Sequence, residues 1–458
     1  MGQFISNFNT TAELEAFMQT AEFKKPHVSL TKDSGKVHYL DYSQDYLTFV
    51  AREQGTFTLT IGSGVSTSIL TSISYSTDDG ETWTTTNNAN GTTVTITTPT
   101  VNQGDKVLWK GSGVGVSTTT NNNNRPSTSS IFSSTGTFDV EGNILSLVWG
   151  DNFVGKDYVA EGSSYNFAFL FYANTAHTGT NYARVVSAKN MCIPIKNVTT
   201  CCFLRMFQEV NNSTVVHTLT KAPSVIAAES VSSSGCAMMF YYCSSLTTAP
   251  ELPATTLADY CYQYMFYYCS SLTTAPELPA TTLAEDCYQY MFQGCTSLTT
   301  APSVLPATTL ANACYYRMFQ DCTSLTTALE LPATTLVSSC YGNMFQGCTS
   351  LTTAPELPAT TLADYCYYYM FYNCTSLTTA PELPATTLAE RCYNNMFDGC
   401  TSLSSIKCLA TDISASYCTT NWVVGVAASG TFTKAASMTS WNEGINGIPS
   451  GWNVVNAS

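Results

Sequence analysis

Residues 246–269 read Leu246-Thr-Thr-Ala-Pro-Glu-Leu-Pro-Ala-Thr-Thr-Leu-Ala-Asp-Tyr-Cys-Tyr-Gln-Tyr-Met-Phe-Tyr-Tyr-Cys269. This stretch determines the fold of its region, because it recurs along the chain. Its Met-Phe block returns every 26 residues, with one step of 27 from Met291 to Met318. The copies of this block begin at Met239, Met265, Met291, Met318, Met344, Met370 and Met396. A fixed period in this range indicates one supersecondary unit per copy, and such units bury their apolar faces only by stacking. The sequence therefore predicts a solenoid with 26-residue coils.

Each coil divides into two parts. Residues 246–252 are mostly β-branched or apolar and end against two prolines, which favours a short strand. From Leu257 onward, apolar residues fall at Leu257, Cys261 and Met265, a spacing that suits a helix of about two turns. Thr255 or Thr256 stands where the N-cap of this helix is expected. We therefore expect strand, turn and short helix in every coil.

Three sets of apolar residues recur at equivalent places in the copies and predict the interior. Two are leucine columns and one is a phenylalanine column: Leu246, Leu272, Leu298, Leu325, Leu351, Leu377 and Leu403; Leu257, Leu283, Leu310, Leu336, Leu362 and Leu388; Phe266, Phe292, Phe319, Phe345, Phe371 and Phe397. Neighbouring strands in such a stack lie roughly 4.8 Å apart, so the copies predict a rod or shallow arc on the order of 30 Å long.

The repeat resembles a known family. The pattern Phe-x-x-Cys-x-Ser-Leu-Thr-x-Ala-Pro-x-Leu-Pro is similar to the leucine-rich repeats of BspA-like surface proteins, which occur in gut Bacteroidales and in their phages and prophages. The resemblance covers about residues 186 to 455 and includes a degenerate coil around Ile193, Cys202 and Met206. It implies adhesion or surface binding, with no common catalytic site.

The rest of the chain differs in composition and predicts a mostly β protein with short helices. Residues 10–22 carry a capping box, Thr10 with Glu13, and apolar residues at helical spacing. Residues 27–30 and 36–42 are predicted strands around a turn. This opening is similar to the N-termini of several virion proteins of Bacteroidales phages. We divide the chain into a docking segment (1–46), a small antiparallel β-domain (47–112), a polar linker or loop (113–130), a β-rich capping region (131–185), the solenoid (186–405) and a C-terminal cap (406–458).

One motif has a catalytic association. Residues 76–83, Ser-Thr-Asp-Asp-Gly-Glu-Thr-Trp, resemble the Asp-box of sialidase-like propellers, where the box is a structural hairpin remote from the active site. It occurs once here, whereas a propeller needs a set of blades. The histidines His27, His38, His177 and His217 stand outside the regular coils and beside no obvious nucleophile or metal-ligand set. We predict a structural hairpin, no enzyme and no cofactor.

The chain has 19 cysteines, most of them in two columns of the repeat. One column includes Cys261 and Cys287, and the other includes Cys269 and Cys295. Buried reduced thiols are favoured, because free cysteine is a small hydrophobe and these residues recur with the coil. Some disulfide cross-links remain an alternative. Zinc is the least favoured reading, because no Cys-x-x-Cys or Cys/His cluster has metal-ligand spacing.

Charge limits the partners. Residues 239–403 contain twelve acidic and two basic side chains, so this part carries 2 − 12 = −10 of the chain's formal −14. Such a surface repels phosphate backbones, and nucleic acid is not an expected partner. The N-terminus lacks the basic and apolar regions of a secretory signal, and no stretch approaches 18 apolar residues, so membrane insertion is not expected.

The positions that vary between copies predict a binding face. The candidate ligand-binding residues are Tyr264, Tyr267, Tyr268, Tyr290, Tyr316, Asn343, Tyr368, Tyr369, Tyr372, Asn394 and Asn395. Tyr, Asn, Gly, Asp and Gln dominate these positions, as in antibody loops, where tyrosine gives a large contact area at low entropy cost. Neutral drift at exposed sites is the alternative, although drift would be expected to collect more Lys and Glu.

These observations predict a non-enzymatic phage virion surface protein, either a head fibre or decoration protein or a tail receptor-binding protein. The N-terminal region would bind other virion proteins, and the solenoid would bind a glycan or protein of the bacterial host surface. Docking regions of fibres are often trimeric, so a homotrimer is one expectation, although no heptad segment supports it. The alternatives are a bacterial cell-surface adhesin and a purely structural capsid decoration protein.

Overall fold

The computed structural model describes residues 3–8, 28–33, 36–118, 129–173, 182–210, 216, 218–439 and 441–457. The helix predicted for residues 10–22 lies outside these ranges, as do three of the four histidines. The strands predicted around residue 34 are present as Val28–Asp33 and Lys36–Asp41, which pair antiparallel.

The described residues form mostly strands and turns, with one short helix. In chain order the strands are β1 (Gln3–Phe8), β2 (Val28–Asp33), β3 (Lys36–Asp41), β4 (Leu47–Ala51), β5 (Phe57–Ile61), β6 (Leu70–Ser76), β7 (Thr84–Asn87), β8 (Val94–Thr97), β9 (Lys106–Gly113), β10 (Ser130–Ser134), β11 (Phe138–Asn143), β12 (Val185–Cys192), β13 (Asn197–Val198), β14 (Ser230–Val231), β15 (Thr256–Leu257), β16 (Ser405–Cys408), β17 (Thr431–Lys434) and β18 (Asn453–Asn456). The α-helix is α1 (Ser146–Trp149), and 3-10 turns lie at Tyr42–Gln44 and Gly150–Asn152.

The chain divides into two compact units. Unit 1 comprises residues 1–230 and 248–253, and unit 2 comprises residues 231–247 and 254–458. The boundary therefore falls inside the range predicted for the solenoid. The repeat copies from Cys261 onward belong to unit 2.

Unit 1 contains a six-stranded sheet in the order β12-β11-β4-β9-β6-β7 and a three-stranded sheet in the order β10-β5-β8. Within the larger sheet only β11 and β12 pair parallel. Strands β1, β3 and β2 form a separate antiparallel sheet. Because β10 pairs with β5 and β11 with β4, the ranges predicted as a β-domain (47–112) and a capping region (131–185) share both sheets. Alternating patterns identify strands but not their partners.

An aromatic core lies between the two sheets of unit 1. The Phe49 ring of β4 lies 5.3 Å from the Phe57 ring of β5 and 4.7 Å from the Phe132 ring of β10. Trp109 of β9 also meets Phe132, with ring centroids 4.9 Å apart. Phe49, Trp109 and Phe132 are fully buried. Burying side chains of this size contributes much of the hydrophobic stabilisation of a β-sandwich.

In unit 2, the predicted helix of each coil is wrong. The backbone instead forms a ladder of turns in which donors alternate between two kinds of acceptor. The Cys287 and Gln289 amides each donate to a carbonyl three residues earlier in their own coil. The Tyr288 and Tyr290 amides each donate to a carbonyl of the next coil, those of Cys314 and Tyr316. All these backbone donors are therefore satisfied without a helix.

The helix prediction failed because two periods coincide. In the coil of Cys261, buried residues occur in adjacent pairs, Cys261 with Tyr262 and Met265 with Phe266, and two less buried residues follow each pair. This four-residue period cannot be distinguished from the 3.6-residue period of a helix over two turns. The backbone hydrogen bonds explain these pairs of buried residues, because amides that donate within their own coil alternate with amides that donate to the neighbouring coil.

The predicted strand at the start of each coil is reduced to single bridges. Thr274 pairs parallel with Thr300, and Thr327 with Thr353, in each case one coil apart. A second series of bridges joins Thr256 to Thr282 and Thr335 to Thr361. The threonine expected to cap a helix thus pairs with its counterpart in the neighbouring coil.

The predicted interior columns are buried, apart from part of one. The first leucine column and the phenylalanine column are fully buried. In the second leucine column, Leu310, Leu336 and Leu388 are buried, whereas Leu257, Leu283 and Leu362 are half-buried. A column that the sequence analysis left out of the interior is also buried, namely Tyr262, Tyr288, Tyr315, Tyr341, Tyr367 and Tyr393.

Tryptophans in the C-terminal part of unit 2 continue the buried tyrosine column. Trp422 is fully buried and stacks on Tyr393 at 6.1 Å and on Trp441 at 5.5 Å. Its Nε1 donates to the Gly447 carbonyl at 2.8 Å. Strands β16, β17 and β18 pair parallel beside it.

Candidate recognition surface

Each coil of unit 2 from Tyr260 onward has three residues with a left-handed backbone, four positions apart. We call them the first, second and third left-handed columns. The first contains Tyr260, Asp286, Ala313, Ser339, Tyr365, Arg391 and Tyr417; the second contains Tyr264, Tyr290, Arg317, Asn343, Tyr369, Asn395 and Asn421; the third contains Tyr268, Gly294, Asp321, Gly347, Asn373, Gly399 and Gly425. None of the columns was recognised in the sequence, although the predicted ligand-binding residues include members of the second and third, such as Tyr264 and Tyr268.

The left-handed backbone explains the composition of the third column. Its non-glycine members have φ near +57°, and its glycines have φ of 68° to 78°. A left-handed conformation costs an ordinary residue roughly 1–2 kcal/mol, and Gly, Asn and Asp tolerate it best. The Gly, Asn and Asp at these positions are therefore explained by the positive φ of the backbone. They do not by themselves indicate adaptable binding loops.

Large and small residues alternate along the third column from Tyr268 to Gly399. A Cβ atom added to Gly294 would lie 2.9 Å from the Tyr268 ring, and one added to Gly347 would lie 2.3 Å from the Asp321 Oδ1. A Cβ at Gly399 would likewise lie 2.0 Å from the Asn373 Oδ1. Each larger side chain thus lies over the glycine of the following coil.

Tyrosine is the residue that the backbone does not explain. Bulky side chains are genuine outliers at positive φ, yet tyrosine occupies seven positions of the three columns. They are Tyr260, Tyr264, Tyr268, Tyr290, Tyr365, Tyr369 and Tyr417. Unfavourable backbone conformations of this kind concentrate at functional sites.

Two groups of tyrosines form on this surface. In the first group, Tyr264 stacks on Tyr290 with ring centroids 4.4 Å apart, and Tyr242 stacks on Tyr268 at 5.2 Å. Tyr267 lies 4.6 Å from Tyr268. Partial burial raises the pKa of Tyr264 and Tyr267 well above the ordinary value, so these hydroxyls stay protonated at neutral pH.

The second group belongs to a single coil. Tyr368 lies 4.4 Å from Tyr369 and 5.5 Å from Tyr365, and Tyr369 lies 5.1 Å from Tyr372. All four rings are half-buried. The coil between the two groups carries small residues at the equivalent positions, including Ser339 and Gly342.

A groove of about 420 Å³ separates the two groups. Asp286, Gln289, Ala313, Tyr316, Ser339, Tyr365 and Tyr368 line it. Partial burial, and then the neighbouring Glu285 carboxylate, raise the pKa of Asp286 to about 6. The Gln289 Nε2 donates to the Asp286 Oδ1 at 2.5 Å.

Comparison with known proteins identifies the repeat. Residues 217–318 and 312–418 match the BspA type leucine rich repeat region, in six copies. The chain carries a BspA-like leucine-rich repeat. A crystal structure of a leucine-rich repeat protein from Bacteroides ovatus ATCC 8483 aligns with 16% identity over 73% of this chain and 88% of that one, with a TM-score of 0.29. No curated protein matches the chain.

The predicted ligand-binding residues of the BspA-like repeat fall into two classes. Tyr268 is 36% exposed, and Tyr264, Tyr267, Tyr290, Tyr316, Tyr368, Tyr369 and Tyr372 are half-buried. Asn343, Asn394 and Asn395 are buried, so their predicted exposure is wrong. Asn343 donates to the Gln346 Oε1 at 2.5 Å, and Asn395 donates to the Asp398 Oδ2 at 2.8 Å. These asparagines bond within their own coil, where short polar side chains suit the turns.

Both arginines of the BspA-like repeat lie against tyrosine rings. The Arg317 guanidinium is centred 5.5 Å from the Tyr290 ring and 5.1 Å from the Tyr316 ring. Arg391 lies between Tyr365 and Tyr417, at 5.3 and 4.8 Å, and donates to the Tyr365 hydroxyl. Each cation thus joins two tyrosines by cation–π contact. The sequence analysis counted these arginines as charges and missed this role.

The cysteines of the BspA-like repeat are buried thiols, as are the chain's remaining cysteines. One column donates weak hydrogen bonds to carbonyls of the phenylalanine column, as from the Cys295 Sγ to the Phe266 carbonyl at 3.2 Å. Burial raises the pKa of Cys287 and Cys340 to about 12, which makes these thiols poor nucleophiles. Among the described residues, no group of His, Cys, Asp and Glu has an arrangement that could hold a metal ion.

Outside the BspA-like repeat, the Asp-box residues tie a hairpin. The Ser76 hydroxyl donates to the Asp78 Oδ1 at 2.6 Å, and the Thr82 amide donates to the same oxygen at 2.9 Å. The Trp83 Nε1 donates to the Gly80 carbonyl at 3.1 Å. These hydrogen bonds hold the pKa of Asp78 low, at about 2. The carboxylate stabilises the turn.

The part of the chain that the structure describes contains no helix long and apolar enough to cross a membrane.

Proposed function

We propose that this protein is a non-enzymatic attachment protein of a phage virion, and that the tyrosine-bearing surface of its BspA-like repeat binds the surface of a bacterial host. The repeat forms one solenoid of 26-residue coils, which presents the three left-handed columns side by side. The N-terminal region, residues 1–46, joins the protein to other virion proteins as a homotrimer. A head fibre, a decoration protein and a tail receptor-binding protein all fit this description.

The observation that carries the proposal is the occurrence of tyrosine at left-handed positions. Glycine and asparagine satisfy that backbone at lower cost, as Gly347 and Asn373 do in the same columns. Tyrosine at Tyr264, Tyr290 and Tyr369 therefore needs another reason. Binding supplies one, because tyrosine is enriched at the energetic centres of recognition surfaces. Neutral drift would favour the residues that the backbone prefers.

The thiols support assembly in a reducing compartment. Cysteines of the two repeat columns, such as Cys287 and Cys295, are buried thiols without a disulfide, whereas exported proteins commonly rely on disulfides. A chain that folds in the bacterial cytoplasm and leaves it by lysis needs no disulfide. This favours a virion protein over an exported cell-surface adhesin.

Two measurements test the proposal with the full-length protein. Mass spectrometry of purified phage particles is expected to detect the chain at many copies per particle. Fluorescently labelled protein is expected to bind intact cells of at least one strain in a panel of Bacteroidales. Detection in host envelopes and not in particles would instead indicate a cell-surface adhesin. Detection in particles without binding to any strain would indicate a structural decoration protein.

A further inference from the structure

The groove of unit 2 exists because two side chains of the first left-handed column are small. Ala313 and Ser339 stand between Asp286 and Tyr365 in this column. Their φ values, 49° and 56°, match the 54° of Asp286 and the 59° of Tyr365. The backbone is therefore regular through the groove, and the open volume of about 420 Å³ follows from side-chain size alone. This volume lies within the usual range of small-molecule sites.

Aromatic side chains border the groove on two sides. Tyr316 and Tyr368 occupy equivalent positions two coils apart, with Gly342 at that position in the coil between them. A Cβ at Gly342 would lie 2.9 Å from the Tyr316 Cδ2, so the Tyr316 ring lies over this glycine. Two coil steps of roughly 4.8 Å separate the backbones of the two tyrosines by about 10 Å. Because the Tyr316 ring occupies the space over Gly342, the open part of the groove lies beside the small residues Ala313 and Ser339, with the two tyrosines at its borders.

Polar groups at both ends of the groove are held in place. The Gln263 Nε2 donates to the Gln289 Oε1 at 2.6 Å, and Gln289 donates to Asp286, so this end presents an oriented carboxyl and amide. At the other end, Arg391 donates to the Tyr365 hydroxyl, whose own proton remains available to a ligand. The groove therefore offers both donors and acceptors, as neighbouring hydroxyls of a sugar require.

The negative charge around the groove favours a neutral ligand. Residues 239–403 carry a formal charge of −10, which disfavours sialylated, sulfated or phosphorylated groups. A cationic ligand would compete for tyrosine rings that Arg317 and Arg391 already contact. Pyranose rings combine C–H faces, which pack on aromatic rings, with hydroxyls, which bond to Asp, Gln and Tyr. A neutral sugar satisfies all these features of the lining.

We propose that the groove between Asp286 and Tyr365 binds a neutral pyranose residue of a surface glycan, with Tyr316 and Tyr368 packing against the sugar ring. The inference rests on the proposed function and specifies its ligand class. It also identifies Ala313 and Ser339 as the residues whose small size determines specificity, because a larger side chain at either position fills the site.

The first test fills the groove in the full-length protein. Ser339→Tyr and Ala313→Tyr place a tyrosine where Tyr260, Tyr365 and Tyr417 already occupy the same column and backbone conformation. The matched control is Asn373→Tyr, which adds a tyrosine over Gly399 in the third column, as Tyr268 lies over Gly294. Tyr368→Ala removes one wall of the groove without filling it. Thermal unfolding of each variant checks that the fold is retained.

The probe is an immobilised array of neutral hexose and N-acetylhexosamine oligosaccharides, with sialylated and sulfated counterparts. The wild-type protein is expected to bind a subset of the neutral members. Binding is expected to fall at least about tenfold in Ser339→Tyr, Ala313→Tyr and Tyr368→Ala, since each removes a central contact, and to stay within about twofold in Asn373→Tyr. Preference for the anionic members, absence of neutral binding, or equal binding by the filled variants would overturn the inference.

Cell binding distinguishes failure of this inference from failure of the proposed function. If the wild-type and filled proteins bind Bacteroidales cells equally well, the groove is not the glycan site, although the attachment function stands. If the wild-type protein binds the neutral glycans through the groove but binds no cells, the attachment function fails and the ligand assignment stands. Parallel loss of cell and glycan binding in the filled variants supports both.

Discussion

The aromatic cores of the two units are built differently. In unit 1, the Phe49 ring meets rings from several strands at angles of 41° to 76°. In unit 2, each ring of the phenylalanine column meets the same residue of the next coil, at 5.4 to 5.8 Å and nearly parallel, with interplanar angles of 2° to 6°. Isolated aromatic pairs adopt offset-stacked or edge-to-face arrangements. Translation from coil to coil imposes the parallel one.

The difference shows how a repeat simplifies packing. A residue of the β-sandwich must fit partners of several shapes, whereas a residue of the repeat needs only to fit a copy of itself. Stability in a stack is then approximately a sum over coils and their nearest neighbours. The same rule places identical cysteines, tyrosines and leucines in contact, and the larger number of buried thiols makes unit 2 more sensitive to pH than unit 1.

Alkaline pH is expected to produce the largest difference in stability between the two units. Unit 1 holds three of the cysteines, Cys192, Cys201 and Cys202, so unit 2 holds 19 − 3 = 16. Burial raises the pKa of Cys287, Cys340 and Cys392 to about 12, from the ordinary value of 9.0. Folded thiols bind protons more tightly than unfolded ones, so their stabilisation is complete below pH 9 and is lost as pH rises toward 12. The loss is on the order of 1 kcal/mol per pH unit for each thiol.

Hydrogen exchange at pH 8 and pH 10, corrected for the intrinsic pH dependence, measures this effect. Protection of unit 2 amides is expected to fall more than that of β4 and β9. Cys295→Ser serves as a control, because a hydroxyl keeps the hydrogen bond to the Phe266 carbonyl and does not titrate in this range. It should reduce the pH dependence by one thiol's contribution. Equal loss of protection in both units would contradict the interpretation.

Removal of one ring from each core tests how far damage spreads. Phe49→Ala and Phe319→Ala are each expected to destabilise their unit by about 3–5 kcal/mol, because both leave a cavity. In Phe49→Ala, hydrogen exchange should increase in strands of both sheets. In Phe319→Ala the increase should be greatest in the coils that carry Phe292 and Phe345. Uniform spread through all coils would show that the nearest-neighbour description is wrong.

Glycine substitutions test the third left-handed column. Gly91 of unit 1 has φ of +74° with open space around it, so Gly91→Ala is expected to cost about 1 kcal/mol from the backbone alone. Gly347 has φ of +73°, but a Cβ there also meets the Asp321 Oδ1. Gly347→Ala should therefore cost more, about 2–3 kcal/mol by denaturant unfolding. In an Asp321→Ala background the cost should fall to that of Gly91→Ala. No rescue would exclude the steric explanation.

Surface ion pairs should show the smallest effect and no difference between the units. Glu382→Gln removes the exposed pair with Lys407, whose atoms lie 2.8 Å apart. Asp139→Asn removes the equally short pair with Arg52 in unit 1. Each is expected to cost less than about 1 kcal/mol in thermal unfolding, since solvent screens both pairs. A larger loss at either site would indicate an interaction beyond the pair itself.

The period and the identity of the interior columns were predictable, because Leu272, Phe292 and their counterparts recur without change. The local backbone was not, since Leu257, Cys261 and Met265 suit a helix and a turn ladder equally well. A positive φ can be predicted from the sequence only where glycine or asparagine occupies the position, as at Gly347 and Asn373. Tyrosine in the same columns gives no indication of the positive φ.

The candidate site was partly predictable for the same reason. Variation between copies identified the outward tyrosines, such as Tyr268 and Tyr368. It did not separate them from Asn343 and Asn395, whose variation lies in buried positions of the turns. The groove depends on Ala313, Ser339 and Gly342, which become meaningful only when their neighbours along the stack are known.

The alternation between Tyr268 and Gly399 limits how such an array can shorten over generations. Loss of the coil that carries Gly294 would place Tyr268 over Asp321, where a glycine now makes room for its ring. Loss of adjacent coils in pairs preserves the order of large and small. Deletions within this stretch that retain a working protein should therefore remove coils two at a time.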